Sequence, residues 1–496
     1  MKLRTLAVAT LAGALALSGC GGSDGNGVVT SGNGSSNPVP VATPTATATP
    51  TASPTPQPLP LAVADSLTGR ANAQITGNVL TNDTLSGAAI SAHTDPAHGT
   101  LVLNADGSFV YTPTTSFQGI DSFTYTLSNS VGAATATVTF TLSGVSVFVN
   151  NQAATGGDGS QVSPLRTLAA AVSAVRGVDG AQIVVFQGDG TTTGLDGQFG
   201  LGPNQSLIGA SSSAVPTLTG PIFLGMGNLL KNLHFANSPS YAVYAYSSSN
   251  STLDAVTISN SSSGGLILSG ANGTLAFRNS SVIAGSGGGE GLVANTYAGF
   301  LNLSVENCTF TNNTVNLNCY SFGSSNVTTL INNNTFTTAP TPPQPNLLMG
   351  VVDKSVQATN ITNNTVTNGD IGFELYTGGN GTLYARVVGN NISGLDHSAL
   401  YGYFTANSLA KLRWDDNVTL GNGKISYPGV DVTNGDAAQV YSTFTNNTSD
   451  VYLFSQFGTG NIVVEELATF ANRNVGVATA TTPKVVTAPA GSSGIP

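Results

Sequence analysis

The side chains best equipped for chemistry gather in one stretch of the chain. Between Asp353 and Lys424 there are 11 charged residues in 72 positions, against 6 in the 163 positions from Gly190 to Val352. A charged cluster in a charge-poor chain marks a candidate site. Short β segments read by strict alternation show which side chains point outward. In DIGFELYT, Ile371, Phe373 and Leu375 face in, so Glu374 and Tyr376 face out. By the same rule SALYGYFT presents Tyr401 and Tyr403, GVDVT presents Asp431, DVYLFSQF presents Tyr452 and Phe454, and VNLNCYSF presents Asn316, Asn318 and Tyr320. Rings with polar tips set in a row suit stacking against sugar rings. Tyr320, Tyr376, Tyr401, Tyr403, Asp431 and Tyr452 are therefore the candidate ligand-binding residues.

The same stretch holds groups that catalysis would use. Glycoside hydrolysis takes two carboxyls about 5 to 9.5 Å apart, and Glu374 with Asp431 or Asp396 could supply them. Elimination from a uronate takes a base, for which Arg386 or Lys411 on the neighbouring strand is the candidate. That strand also turns Tyr384, Arg413 and Asp415 outward, and the loops add Asp370, His397 and Lys424. The adjacent Asp396 and His397 read as a loop hydrogen bond rather than a dyad. Three Cys and four His have no zinc-type spacing, so no metal set is assigned. Calcium among Asp370, Glu374, Asp396 and Asp431 is the one cofactor that would favour catalysis.

A repeat must position these residues. An apolar alternation, a Gly/Asn turn, a second alternation and an Asn-rich corner recur about every 26 to 30 residues. The apolar residues after the corners are Val282, Phe310, Phe336, Val366, Ile392 and Val418, in steps of 28, 26, 30, 26 and 26. The corners are Asn307, Asn333-Asn334, Asn363-Asn364, Asn390-Asn391, Asp416-Asn417 and Asn446-Asn447. A fixed period of this length predicts a solenoid whose coils bury their apolar sides only by stacking. Asn stacked at one corner can pass side-chain hydrogen bonds from coil to coil, so its repetition is architectural. The repeated Asn-x-Thr triplets follow from it and are not read as glycosylation sites. Cys308 at a corner and Cys319 at the next inward position fall on different sides of one coil, and a disulfide between them stays open.

The chain begins with Lys2 and Arg4, an apolar stretch from Leu6 to Leu17, and LSGC ending at Cys20. That is a secretory signal, too short for a membrane span of about 20 apolar residues. LSGC resembles the lipobox of bacterial lipoproteins. The resemblance implies cleavage before Cys20 and a lipid on it, and Gly21-Gly22 in place of an Asp implies delivery to the outer membrane. Residues 21–60, Gly/Ser-rich and then Pro/Thr-rich, cannot bury a core and predict an extended spacer. Net charge is −10 without basic clusters, which excludes nucleic acid as a partner.

Residues 61–143 show short β alternations with turn signals. NVLTND and HGTLVLNADGSFVYTPTTSFQGIDSFTYTLSNS resemble bacterial cadherin-like, Ig-like repeats. Such relatives can bind calcium through acidic runs, but only Asp65 stands in AVADS, and Asp83, Asp106 and Asp121 read as turn caps. VFVNNQAATGGDGSQVSPLRTLAAAVSAV resembles the N-terminal cap of pectate-lyase-like β-helices, with a helix over about Pro164 to Val175. In that class substrates lie along the outer face of the strand that follows the Asn corner and its loop.

The expectation is an all-β chain. A small cadherin/Ig-like sandwich over 61–143 precedes a right-handed single-stranded parallel β-helix of the pectin-lyase type over 145–480, with a flexible tail over 481–496. Its function is expected to be that of a lipoprotein in the cell envelope, held to the membrane through Cys20 and exposed at the surface or in the periplasm. Its β-helix would bind glycan or another surface ligand. The alternative is a polysaccharide lyase or glycoside hydrolase. The Arg-x-Pro-x-x-Arg run of pectate lyases and the Gly-His-Gly of polygalacturonases are missing, so no activity is assigned.

Overall fold

The computed structural model describes residues 57–246, 250–270, 272–285, 288–338, 344–420, 430–435, 437–456, 459–465, 475–480 and 485–488. Side chains are described except at 420, 448–452, 456, 465, 475–480 and 485–488. Cys20, the spacer up to residue 56, and Lys424 lie outside the described residues. Among them no helix is long and apolar enough to cross a membrane.

The N-terminal sandwich closes over aromatic residues placed by alternation. Ser108–Pro113 and Gly119–Ser128 bury Phe109, Tyr111, Phe123, Tyr125 and Leu127, and Phe140 stacks on Tyr111 at 4.2 Å. Buried tyrosine hydroxyls need acceptors, and carboxylates supply them. Tyr111 donates to Asp121 at 2.7 Å and Tyr125 to Asp83 at 2.8 Å, while Asp121 also accepts the Ala97 and His98 amides. Both carboxylates therefore act as internal anchors. No three His, Cys, Asp or Glu side chains among the described residues are grouped to hold a metal.

The two folded parts share a strand. Ala133–Val149 runs antiparallel to Gly119–Ser128 in the sandwich, then continues as Ser146–Val149, parallel to Gln182–Val185 in the first coil. Arg70 clamps the junction, its guanidinium donating to Ser146 Oγ at 3.1 Å, Val145 O at 3.0 Å and Gly180 O at 2.6 Å. The helix Leu168–Ala174 covers the open end of the solenoid with Leu168 and Ala171 buried. It starts later than expected because Thr167 is its N-cap, accepting from the Ala170 amide at 3.2 Å.

Beyond this helix the chain winds into a right-handed parallel β-solenoid of about ten turns. One central coil shows the plan. A pre-corner strand Asn326–Asn332 meets the corner Asn333-Asn334, a post-corner strand Thr335–Thr338 comes next, and after a loop a third strand Leu347–Val351 completes the coil. Each strand pairs in parallel with its equivalents one coil away. Inward positions such as Val327, Ile331, Phe336, Leu347 and Met349 form one continuous core.

The corner works in two steps. Its first residue takes the left-handed conformation at Asn307, Asn333, Asn363, Gly389, Asp416 and Asn446, which suits Asn, Asp and Gly. The next residue turns its amide side chain inside. Asn334, Asn364, Asn390, Asn417 and Asn447 are buried, and each backbone amide from Asn334 to Asn417 donates to the Oδ1 of the next rung at 2.9 to 3.0 Å. Their Nδ2 groups donate across the bend to Val305, Ile331, Ile361, Val387 and Trp414 carbonyls. Cys308 takes the same place one coil earlier, its amide donating to Asn334 Oδ1 at 2.8 Å. It and Cys319 are free thiols, and burial pushes both up to about 12.

Several expected positions are displaced by one residue. The inward residue after the Asp416-Asn417 corner is Thr419, buried and paired with Ile392, whereas Val418 is exposed. Asn316 is buried, accepting from Asn313 and donating to Asn346 at 2.8 Å in a second Asn ladder. Phe454 is buried over Val432 instead of facing out, and Tyr452, whose side chain lies outside the described residues, pairs with Val430. Here Thr448–Gln456 runs straight from the corner strand into the third strand with a register shift between Thr448 and Val451, which reverses the parity. Asp415 keeps the outward parity of Arg413 yet is buried, its carboxylate paired with the Arg413 guanidinium. The strand Val475–Ala480 ends the expected β-helix range, and the segment expected as a flexible tail contains the strand Val485–Ala488, each paired with the preceding coils.

Asn390→Ala deletes an acceptor for two donors of Asn364 and a donor to Ile361 O. At the cost of unmet buried groups it lowers stability by about 3 kcal/mol, whereas exposed Asn391→Ala stays within about 0.5 kcal/mol. Denaturation midpoints of the two variants test this, and equal losses would remove the ladder's energetic role.

Candidate functional site

Outward positions of the third strands stack into two columns. One runs Asn318, Leu348, Glu374, Tyr401 and Asp431; the other runs Tyr320, Gly350, Tyr376, Tyr403 and Thr433. Glu374, Tyr376, Tyr401 and Asp431 are half-buried, and Tyr403 is 38% exposed. Because strands in a sheet lie about 4.8 Å apart, the Glu374 and Asp431 backbones are about 9.5 Å apart, with Tyr401 between them.

The tyrosine column is closed by a glycine. A Cβ at Gly350 would sit 1.9 Å from Tyr320 Cε1, so only Gly lets the Tyr320 ring lie over its backbone toward Tyr376. Tyr376 and Tyr403 stack at 6.2 Å and 24°. Upstream, Tyr320 stacks on Phe322 at 5.5 Å and Phe322 on Tyr297 at 5.3 Å, which carries the aromatic row onto the turn toward the next strand.

Burial raises the carboxyls of both Glu374 and Asp431, offset for Asp431 by the Thr433 hydroxyl. No side chain among the described residues hydrogen-bonds or ion-pairs with Glu374. The Tyr401 hydroxyl is raised by burial first and then by the charges of Asp431 and Glu374 on either side. Burial and Glu374 likewise raise Tyr320.

The remaining candidates are elsewhere. Arg386 and Lys411 stand on the pre-corner strands Thr382–Val388 and Leu409–Asp415, across the Gly378–Gly381 turn from Glu374. Arg386 is stacked with Arg413 in register, and Lys411 lies over the Tyr384 ring at 5.7 Å. They do not join Glu374 in one constellation. Asp396 sits in the loop before Leu400–Phe404, where its amide donates to Gly369 O at 2.9 Å. His397 pairs through Nδ1 with Asp370 of the preceding coil.

Two features escaped the reading by alternation. Tyr241, Tyr244 and Tyr246 form an earlier aromatic patch on the same face, with Phe223 stacked on Tyr244 at 4.8 Å. YAVYAY carries that signal in its own spacing. Glu290 ties that patch to the later coils, accepting from Tyr241 at 2.8 Å and from Asn318 at 3.0 Å.

Residues 57–141 match the family model of the bacterial Ig domain. No curated protein matches the chain. Among solved structures, the A-module of the mannuronan C-5 epimerase AlgE6 of Azotobacter vinelandii is similar over 64% of this chain and 94% of its own, at 13% identity and a TM-score of 0.26. The Ig domain meets the first coil through Arg70, Asn72 and Thr115. Among the described residues it adds no side chain to the tyrosine face.

A carboxyl raised by burial has a folded value above its unfolded one. Its charged form is then a penalty that grows as pH rises through that window and is absent below it. Glu374→Gln should therefore raise the thermal midpoint at pH 7 by about 1 °C, the small size reflecting partial solvent screening. The gain should vanish near pH 3, and a gain that persists there would deny the titration.

Proposed function

We propose that this protein is a lipoprotein of the cell envelope whose β-helix binds polysaccharide along the third face. The observation that carries the reading is the register itself. Tyr376 over Tyr403 and Glu374, Tyr401 and Asp431 in sequence form two adjacent columns on successive strands. Stacked strands set such groups about 4.8 Å apart, which offers an extended polymer a run of ring and carboxyl contacts along the solenoid axis. Ring faces supply apolar area and hydroxyl tips supply hydrogen bonds. Anchoring rests on Lys2, Arg4 and the LSGC sequence ending at Cys20, and outer-membrane delivery on Gly21-Gly22.

The two carboxyls favour a hydrolytic reading only in that their backbones stand two strand spacings, about 9.5 Å, apart, near the upper end for an inverting pair. Acid and base roles need environments that push two carboxyls apart. Here burial moves Glu374 and Asp431 in the same direction. An elimination reading loses its base, because Arg386 and Lys411 face another side. Binding without turnover is the reading supported best.

The test is titration of the full chain with a panel of neutral, acidic and amino polysaccharides, alongside assays for new reducing ends and unsaturated uronides. At least one polymer should bind, Tyr376→Ala should weaken it about tenfold, or about 1.4 kcal/mol, and no product should form. Product lost in Glu374→Gln would replace binding by hydrolysis.

A further inference from the structure

The cations of the solenoid are sorted by face. From Ser206 to Glu465 the described Lys and Arg residues are Lys231, Arg278, Lys354, Arg386, Lys411 and Arg413. All except Lys354 stand on pre-corner strands, and Lys354 lies in the turn leading to one. There they meet acids: Lys231 and Arg278 both lie 3.6 Å from Asp254, and Arg413 pairs with Asp415. The third face has the opposite character. Its outward charges among the described residues are Glu290, Glu374 and Asp431, and the loop before it adds Asp370 and Asp396, with His397 on Asp370.

Only Glu290 of the three has its oxygens engaged by neighbours on both sides. Glu374 and Asp431 keep no cation among the described residues although both are half-buried. A half-buried carboxylate without a cation, as Glu374 is and as Asp431 is with only the Thr433 hydroxyl on it, gains most from a cation brought by a ligand. Tyr401 stands between the two, and its ring face attracts the same kind of group. A polyuronate would place its own carboxylates against these, a like-charge contact that disfavours it.

Resting on the proposed polysaccharide binding, we infer that the ligand is a cationic glycan, an extended chain of amino sugars whose ammonium groups meet Glu374 and Asp431 while its rings lie on Tyr376, Tyr401 and Tyr403. Two strand spacings separate the carboxylates, so they address ammonium groups along the polymer rather than one sugar. The sugar rings make the contact that a simple polyamine cannot.

The experiment compares four ligands of equal length on the full chain by calorimetry: oligomers of β-1,4-linked glucosamine, the same oligomers N-acetylated, oligogalacturonate and oligolysine. The glucosamine oligomer should bind at least tenfold more tightly than its acetylated form, weaken as salt rises, and leave oligogalacturonate without detectable binding. Glu374→Gln and Asp431→Asn should each reduce glucosamine binding about tenfold and narrow its advantage over the acetylated oligomer. Equal binding of free and acetylated oligomers, both lost in Tyr376→Ala, would overturn the cationic assignment and leave polysaccharide binding standing. Tighter binding of oligolysine or of oligogalacturonate would also overturn it. No binding by any saccharide would overturn the polysaccharide reading itself.

Discussion

The rest of this structure depends on the hydrogen bond that each corner asparagine accepts from the coil before it. A solenoid coil has no second layer of its own, so its apolar side is buried only when the next coil sits directly above it. Backbone ladders fix the distance between coils but would tolerate a slip of register. The asparagine removes that freedom. Asn364 Oδ1 takes both the backbone amide and the Nδ2 of Asn334, while its own Nδ2 reaches back to Ile331 O. A coil shifted by one residue would leave those buried groups unmet, at about 1 to 3 kcal/mol each. Register is thereby set at one point per coil and carried by alternation to every other strand.

Function on such a scaffold is a matter of columns. A residue type at one outward position is brought within one strand spacing of the residues above and below it, whatever their distance along the chain. That is how Tyr376 meets Tyr403, and how Tyr401 comes to stand between Glu374 and Asp431. The same rule separates groups that look close in sequence. Glu374 and Arg386 are 12 residues apart, yet the Gly378–Gly381 turn puts them on different faces. Proximity along the chain is therefore a poor guide to a shared site here, and phase within the coil is a good one.

Most of the architecture was legible because period and corner chemistry are both local in sequence. The solenoid follows from its period and corners, the helix cap from its resemblance to known β-helix caps, the sandwich from short alternations with turns and a like resemblance, and the outward direction of Glu374, Tyr376, Tyr401, Tyr403 and Asp431 from alternation. What was missed involves phase that alternation cannot carry across an irregularity. At Thr419 a polar residue fills an inward place, so the apolar Val418 was mistaken for it. At Phe454 the loop that normally resets the parity is missing and a register shift replaces it. Asn316 looked like an outward polar residue but belongs to a second internal ladder, invisible because its partners Asn313 and Asn346 come from different coils. The shared strand Ala133–Val149 was split at its centre, since the turn-forming Gly144 reads as a boundary although the pairing continues past it.

That shared strand bears on what the tyrosine face can do. With Arg70 joining sandwich, strand and first coil, the Ig domain continues the solenoid's own hydrogen bonding into its sheet. The columns are likewise held from behind, because the residue following each outward group is packed in the core: Leu375 behind Glu374, Gly402 behind Tyr401, Val432 behind Asp431. Contacts formed by groups already in place lose little conformational freedom on binding. Selectivity on such a face then follows from spacing and sign. A polymer whose charges have the wrong sign finds no rearrangement that improves the fit, and one whose repeat matches the strand spacing meets Glu374 and Asp431 on alternate coils, with Tyr401 between them.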